Sequence, residues 1–202
     1  MNLDQFVATA IGQDNSGELA PDATAAQRLL IDFNRSIDQL VDRHGLEAIG
    51  KTLWFAYGCV GDVAHDALQP AGESGYGDFY ASLIDLYELG FANYCEDAAH
   101  HSHRAANSFA TACYMLWDMD GGLEHLTLHA RPELFPYAEV LFDFGLSHRH
   151  AAVQESFLHG LGHLHGQKTS FVEDKISQFL LRTDTTRELR QYAQECSTGL
   201  IL

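Results

Sequence analysis

Apolar residues recur every three or four positions along most of this chain, the spacing that turns one face of a helix toward a core. Leu29, Leu30, Phe33, Ile37, Leu40 and Val41 form one such stripe, in a helix that Gly45 is placed to close. Ile49, Leu53, Tyr57 and Val60 form the next. After the turn-forming stretch QPAGESGYG (69–77), Phe79, Leu83, Leu86, Tyr87, Phe91 and Tyr94 predict a third helix. Phe109, Ala112, Cys113 and Leu116 predict the inner face of a fourth, over 104–119, ended by Gly121 and Gly122. Pro136 suits a first helical turn, where its missing N–H costs nothing, and Val140, Leu141 and Phe144 continue that stripe. Ser170 with Glu173, and Thr185 with Glu188, match the S/T-x-x-E pattern of a capping box. Each precedes a further stripe: Val172, Ile176, Phe179 and Leu180, then Leu189, Tyr192, Ala193 and Cys196. No run of alternating β-branched residues appears, so the pattern predicts an all-α fold of eight or nine helices. The polar stretch GQDNSGELAP (12–21) divides an N-terminal segment, 1–20, from a single helical domain, 21–202.

The stretch AAVQESFLHGLGHLHG (151–166) sets histidines and a glutamate among leucines and glycines in a helix over 150–165. At about 100° per residue, Val153, Phe157, Leu161 and Leu164 fall together as the buried face. Glu155, His159, Gly162 and His163 fall on the far side, facing either solvent or a neighbouring element. The i,i+4 spacing of His159 and His163 brings both imidazoles to one surface, where zinc or nickel could be held, with Glu155 one turn earlier as an available oxygen ligand. A zinc peptidase helix would read H-E-x-x-H, whereas this string is HGLGH, so no metal or cofactor is expected here. Gly160 and Gly162 each cost about 1 kcal/mol relative to alanine in a helix interior, which predicts close approach of a neighbouring helix or a ligand, close packing being the simpler of the two. On this assignment of faces, Leu161→Asp unfolds the C-terminal pair of helices, while His159→Ala costs less than about 1 kcal/mol.

Over LSHRHAAVQESFLHGLGHL (146–164) the chain resembles the second half of a HEAT repeat, with Ala151, Ala152, Val153, Leu158, Leu161, Gly162 and Leu164 in the matching places. The helix over 136–146 would be its antiparallel partner. The resemblance implies stacked antiparallel helix pairs in an α-solenoid-like arrangement. It also implies a protein-interaction module whose groove would carry Glu155, His159 and His163. HEAT-like deoxyhypusine hydroxylases hold two irons through His-Glu dipeptides, and this chain contains none.

Composition narrows the functional classes. The formal charge is −16, from 28 acidic and 12 basic residues, and the lysines are only Lys51, Lys168 and Lys175. No basic stripe is available for phosphates, which excludes nucleic acid and anionic membrane as expected partners, and with them the HEAT-like DNA glycosylases. Cys59, Cys95, Cys113 and Cys196 are widely spaced and read as small buried hydrophobes of a reduced compartment. The longest apolar run, 53–61, is far short of a membrane span, and MNLDQFVATA lacks the pattern of a secretory signal, so a cytoplasmic protein is expected. Trp117 beside Asp118 and Asp120 reads as a structural indole with solvated acids, or as an anchor for a bound protein segment. HHSH (100–103) and the pair His125 and His129 are further histidine clusters, and no nucleophile elbow or phosphate-binding loop is present. The expectation is therefore a non-catalytic interaction module with a protein partner. The alternative is a metal-dependent enzyme that uses a histidine cluster on the helical scaffold.

Overall fold

Every apolar stripe that can be traced in the structure becomes helix, and the stripes meet in one core. The computed structural model describes residues 1–12, 22–58, 63–69, 75–99, 107–119, 123–125, 127, 131–199 and 201. The chain forms α1 (Leu3–Ala10), α2 (Ala23–Arg35), α3 (Ile37–His44), α4 (Leu46–Tyr57), α5 (Val63–Ala67) and α6 (Tyr76–Asp85). A π-helical segment, Leu86–Phe91, carries α6 without a break into the single turn α7 (Ala92–Tyr94). Then follow α8 (Ser108–Met115), the single turn α9 (Leu123–His125), α10 (Phe135–Ser147), α11 (Ala151–Leu164), α12 (Thr169–Leu180) and α13 (Arg187–Cys196). Among the described residues there is no strand, and eleven helices run five residues or longer, more than the eight or nine expected. No helix among them is long and apolar enough to cross a membrane. Val60, Cys59, residues 13–21, HHSH, Asp120, Gly121, Gly122, His129 and the side chain of His125 lie outside the described residues.

One extra helix, α5, forms outside every expected stripe, and another arises where one expected stripe divides. The stripe from Leu29 to Val41 breaks at Ser36, whose N–H turns back to the carbonyls of Asp32 and Phe33, giving α2 and α3 in place of one helix. The break leaves Asn34 fully buried, where it accepts from the Tyr57 hydroxyl at 2.7 Å and donates to Ser82 at 3.0 Å. Those bonds are what make an internal amide tolerable, since an unpaired one would cost a few kcal/mol.

The core is continuous from Phe6 to Cys196. On one side α2 lies against α5 and α6, and α1 against α4; α4 then packs on α8, and α10 bridges α6 and α11. On the other side α11 is enclosed by α8, α10, α12 and α13. Tyr87, from the π-helical segment, reaches this centre and shares a 2.8 Å hydrogen bond with Ser156 of α11.

Three local expectations are corrected. Val140 is 63% exposed, because the inner face of α10 is Ala138, Leu141, Phe142 and Gly145. The fit with α11 sets this rotation: a Cβ on Gly145 would lie 1.8 Å from the Phe157 ring, so Phe157 seats where only glycine leaves room. Ser170 does not cap α12, which starts at Thr169 with no side-chain cap, Lys168 standing at the N-cap. The cap of α13 is Thr186, not Thr185; its hydroxyl accepts from the Leu189 N–H at 3.2 Å.

Candidate functional site

Helix α11 is buried on all sides. From Ala151 to Leu164 every residue but His163 is buried, including the polar Gln154, Glu155, Ser156 and His159. A helix with four neighbours has no solvent face, so of the two alternatives for the polar side, solvent or a neighbouring element, the structure has the second. The imidazole side is the side on which α8 and α13 pack. Glu155 and His159 are each 1% exposed, which leaves no surface there for a macromolecular partner to grip.

The His159 ring lies against Tyr114 of α8, with centroids 4.1 Å apart. Its Nδ1 is 2.8 Å from the Tyr192 hydroxyl of α13, and that hydroxyl is 2.8 Å from the hydroxyl of Tyr114. Burial above all, then the neighbouring His163, pushes the His159 pKa down to about 3, so the ring is neutral. Burial above all holds the Tyr114 and Tyr192 phenols above their ordinary value, and both stay protonated.

On its other edge, His159 Nε2 stands 3.2 Å from His163 Nε2, and His163 Nε2 stands 3.2 Å from Asp118 Oδ2. Asp118, His159 and His163 thus each offer one ligand atom, all within 4.8 Å of one another. The i,i+4 spacing supplies the two imidazoles. Asp118 arrives from the end of α8, where its N–H turns back to the Met115 carbonyl. Its position is fixed by Trp117, which stacks on Phe142 at 4.3 Å and packs on the backbone of α11 at Gly160, where a Cβ would lie 2.7 Å from the indole. The close approach expected at Gly160 is this contact. Gly162 has its own: a Cβ there would lie 2.7 Å from Ile201.

The side chains of His163 and Asp118 are 28% and 35% exposed, so the cluster opens to solvent on one side while His159 anchors it inside. Of the residues singled out in the sequence, the structure brings His159, His163 and Asp118 together and leaves Glu155 outside the ligand group. Trp117 is 1% exposed and holds the loop instead of anchoring a partner. Tyr114 and Tyr192 were not readable as site residues; Tyr192 stood only as a member of a core stripe.

No protein-family model matches this chain, and comparison with curated proteins and with solved structures gives no match. Among the described residues the chain is all-helical, with a two-histidine, one-carboxylate cluster anchored inside by His159 and open to solvent at His163 and Asp118.

Proposed function

We propose that this chain binds one divalent transition-metal ion through Asp118, His159 and His163, on a HEAT-like scaffold in which α10 and α11 form the central pair. The observation that carries the reading is the spacing of the donor atoms. Ligands about 2.0–2.1 Å from a tetrahedral zinc ion stand about 3.3 Å from one another. The two 3.2 Å separations match that edge, and the third pair of donor atoms, His159 and Asp118, lies within 4.8 Å. Two nitrogens and one oxygen suit zinc and its borderline neighbours, while calcium and magnesium call for oxygen ligands.

Three protein ligands leave a fourth position, and the exposed edges of His163 and Asp118 put it toward solvent. That is the pattern of a site that keeps a water, and a water bound to zinc ionises near neutral pH. The chemistry such a site can supply is activation of that water or polarisation of a carbonyl or phosphoryl oxygen, which is the metal-dependent alternative read from the sequence.

The test is titration of metal-free protein with zinc and with cobalt. One equivalent is expected to bind, cobalt giving the intense visible bands of a four-coordinate ion. His163→Ala is expected to abolish that spectrum without unfolding the protein, because His163 is the exposed member of the set. Sub-stoichiometric binding, or an unchanged cobalt spectrum in the variant, would remove the proposal.

A further inference from the structure

We infer that Cys95 and Cys113 are a modification site: a hydroperoxide converts the pair to a reversible disulfide that staples the end of α7 to α8. The site requires no metal.

Two separate elements bring the sulfurs together. Phe91, at the end of the π-helical segment, and Phe109, in α8, are in ring contact with centroids 5.0 Å apart. Each cysteine follows one of these rings by one helical turn, Cys95 with its N–H on the Phe91 carbonyl at 2.9 Å. Residues one turn apart share a face, so the phenylalanine contact carries the cysteines toward each other. The Cys95 and Cys113 side chains share a hydrogen bond, and both thiols are free. Closing that contact to the ~2.05 Å of a disulfide takes side-chain rotation.

Both segments are also tied to the start of α11, which keeps the pair in place. Asp97, two residues past Cys95, accepts from the Ala151 N–H at 2.6 Å, and so caps a helix whose own N-cap, His150, supplies no side-chain bond. Cys113 Sγ points at the carbonyl of the next residue, Ala152, at 3.7 Å.

Exposure divides the roles. Cys113 is 1% exposed, and burial above all holds its thiol well above the ordinary pKa, so it stays protonated and out of reach of solvent. Cys95 is half-buried and open to a small oxidant. The expectation of buried hydrophobes therefore holds for Cys113 and Cys196 but not for Cys95. In the first step the Cys95 sulfur takes the terminal oxygen of the hydroperoxide; the O–O bond breaks, leaving a sulfenic acid on Cys95 and releasing an alcohol, or water from hydrogen peroxide. The Cys113 sulfur then attacks the Cys95 sulfur. The S–S bond forms, the S–O bond breaks, and the hydroxyl leaves as water with the Cys113 proton. The thiol pair loses two electrons, and the peroxide gains them. Contact between the sulfurs offsets the small thiolate fraction of Cys113.

The test treats purified, reduced protein with hydrogen peroxide in a chelating buffer and reads intact mass, peptide maps and thermal melts. A net loss of two hydrogens is expected, with a peptide linking Cys95 to Cys113 that dithiothreitol splits. The oxidised protein is expected to melt about 5–10 °C above the reduced one, as a short loop closed without strain should. Cys95→Ser, at the half-exposed position, is expected to leave Cys113 as a free thiol under the same treatment. Gain of oxygen without loss of hydrogen overturns the inference, as does a link from either cysteine to Cys59 or Cys196. So does a Cys95–Cys113 link that forms only in urea, or one whose product melts no higher than the reduced protein, since either would show that the fold does not hold the sulfurs together.

Discussion

At the scale of single residues, Gly160 does what no ligand can do alone. Trp117 lies on the α11 backbone only because residue 160 has no side chain, and Asp118 follows Trp117. The indole cannot retreat, since Phe142 stacks on its other side and Phe157 meets its edge at 5.7 Å. Gly160→Ala is therefore expected to lose about 1–3 kcal/mol by overpacking, despite the better helix propensity of alanine, and to weaken metal binding in the same protein. Urea denaturation read against the wild type checks the first part. A stabilised variant would mean that Trp117 moves freely, and the account of how Asp118 is placed would fall. The histidine pair was legible in the sequence because i,i+4 spacing on a helix is local geometry. Asp118 was singled out beside Trp117, but its meeting with the pair, like the contact of Tyr192, was not legible, because contacts across 33 residues, as from His159 to Tyr192, depend on how helices pack and leave no periodic trace. Glu155 was the nearest carboxylate on the same helix, and it proved to lie outside the ligand group.

The elements show the same division between local and non-local causes. The stripes of α4, α12 and α13 were read from periodicity, and Val172, Ile176, Phe179, Leu189, Tyr192, Ala193 and Cys196 are buried as expected. Ends and breaks were less legible, because a cap is one hydrogen bond that competes with neighbours of the same chemistry. In the run Thr185–Thr186 both residues have the hydroxyl for a cap, and only Thr186, with extended backbone at φ −73° and ψ 162°, points it at the Leu189 N–H. Thr186→Ala is expected to cost about 1 kcal/mol and to fray α13, whereas Thr185→Ala should change the melting temperature little. Thermal melts of the pair decide it. Equal losses, or a larger loss at Thr185, would restore the capping box read from the sequence. Since α13 carries Tyr192, fraying at its start is also a mild test of how rigidly the site is held.

For the whole molecule, the decisive fact is where α11 sits. A wheel drawn from the sequence assumes one buried side, and that assumption fails for a helix with neighbours on every side, whose polar residues then bond to those neighbours instead of water. Leu161, fully buried, lies on this helix, which touches α8, α10, α12 and α13 at once. A carboxylate placed there has no partner, and the cost of burying it, several kcal/mol, is comparable to the whole stability of a domain this size. The expectation from the sequence was loss of the C-terminal pair alone. The shared core from Phe6 to Cys196 instead predicts that Leu161→Asp removes the cooperative melt of the entire chain. Val140→Asp, on the exposed side of the adjacent α10, is the control and should stay within about 0.5 kcal/mol of the wild type. Near-ultraviolet circular dichroism separates the outcomes, because Trp54 and Trp117 report on different helices and on α4 and the end of α8 respectively. Survival of a cooperative N-terminal transition in Leu161→Asp would show that α1–α6 fold without α11, and the central placement of the helix that carries the proposed metal site would then support the site alone and not the fold.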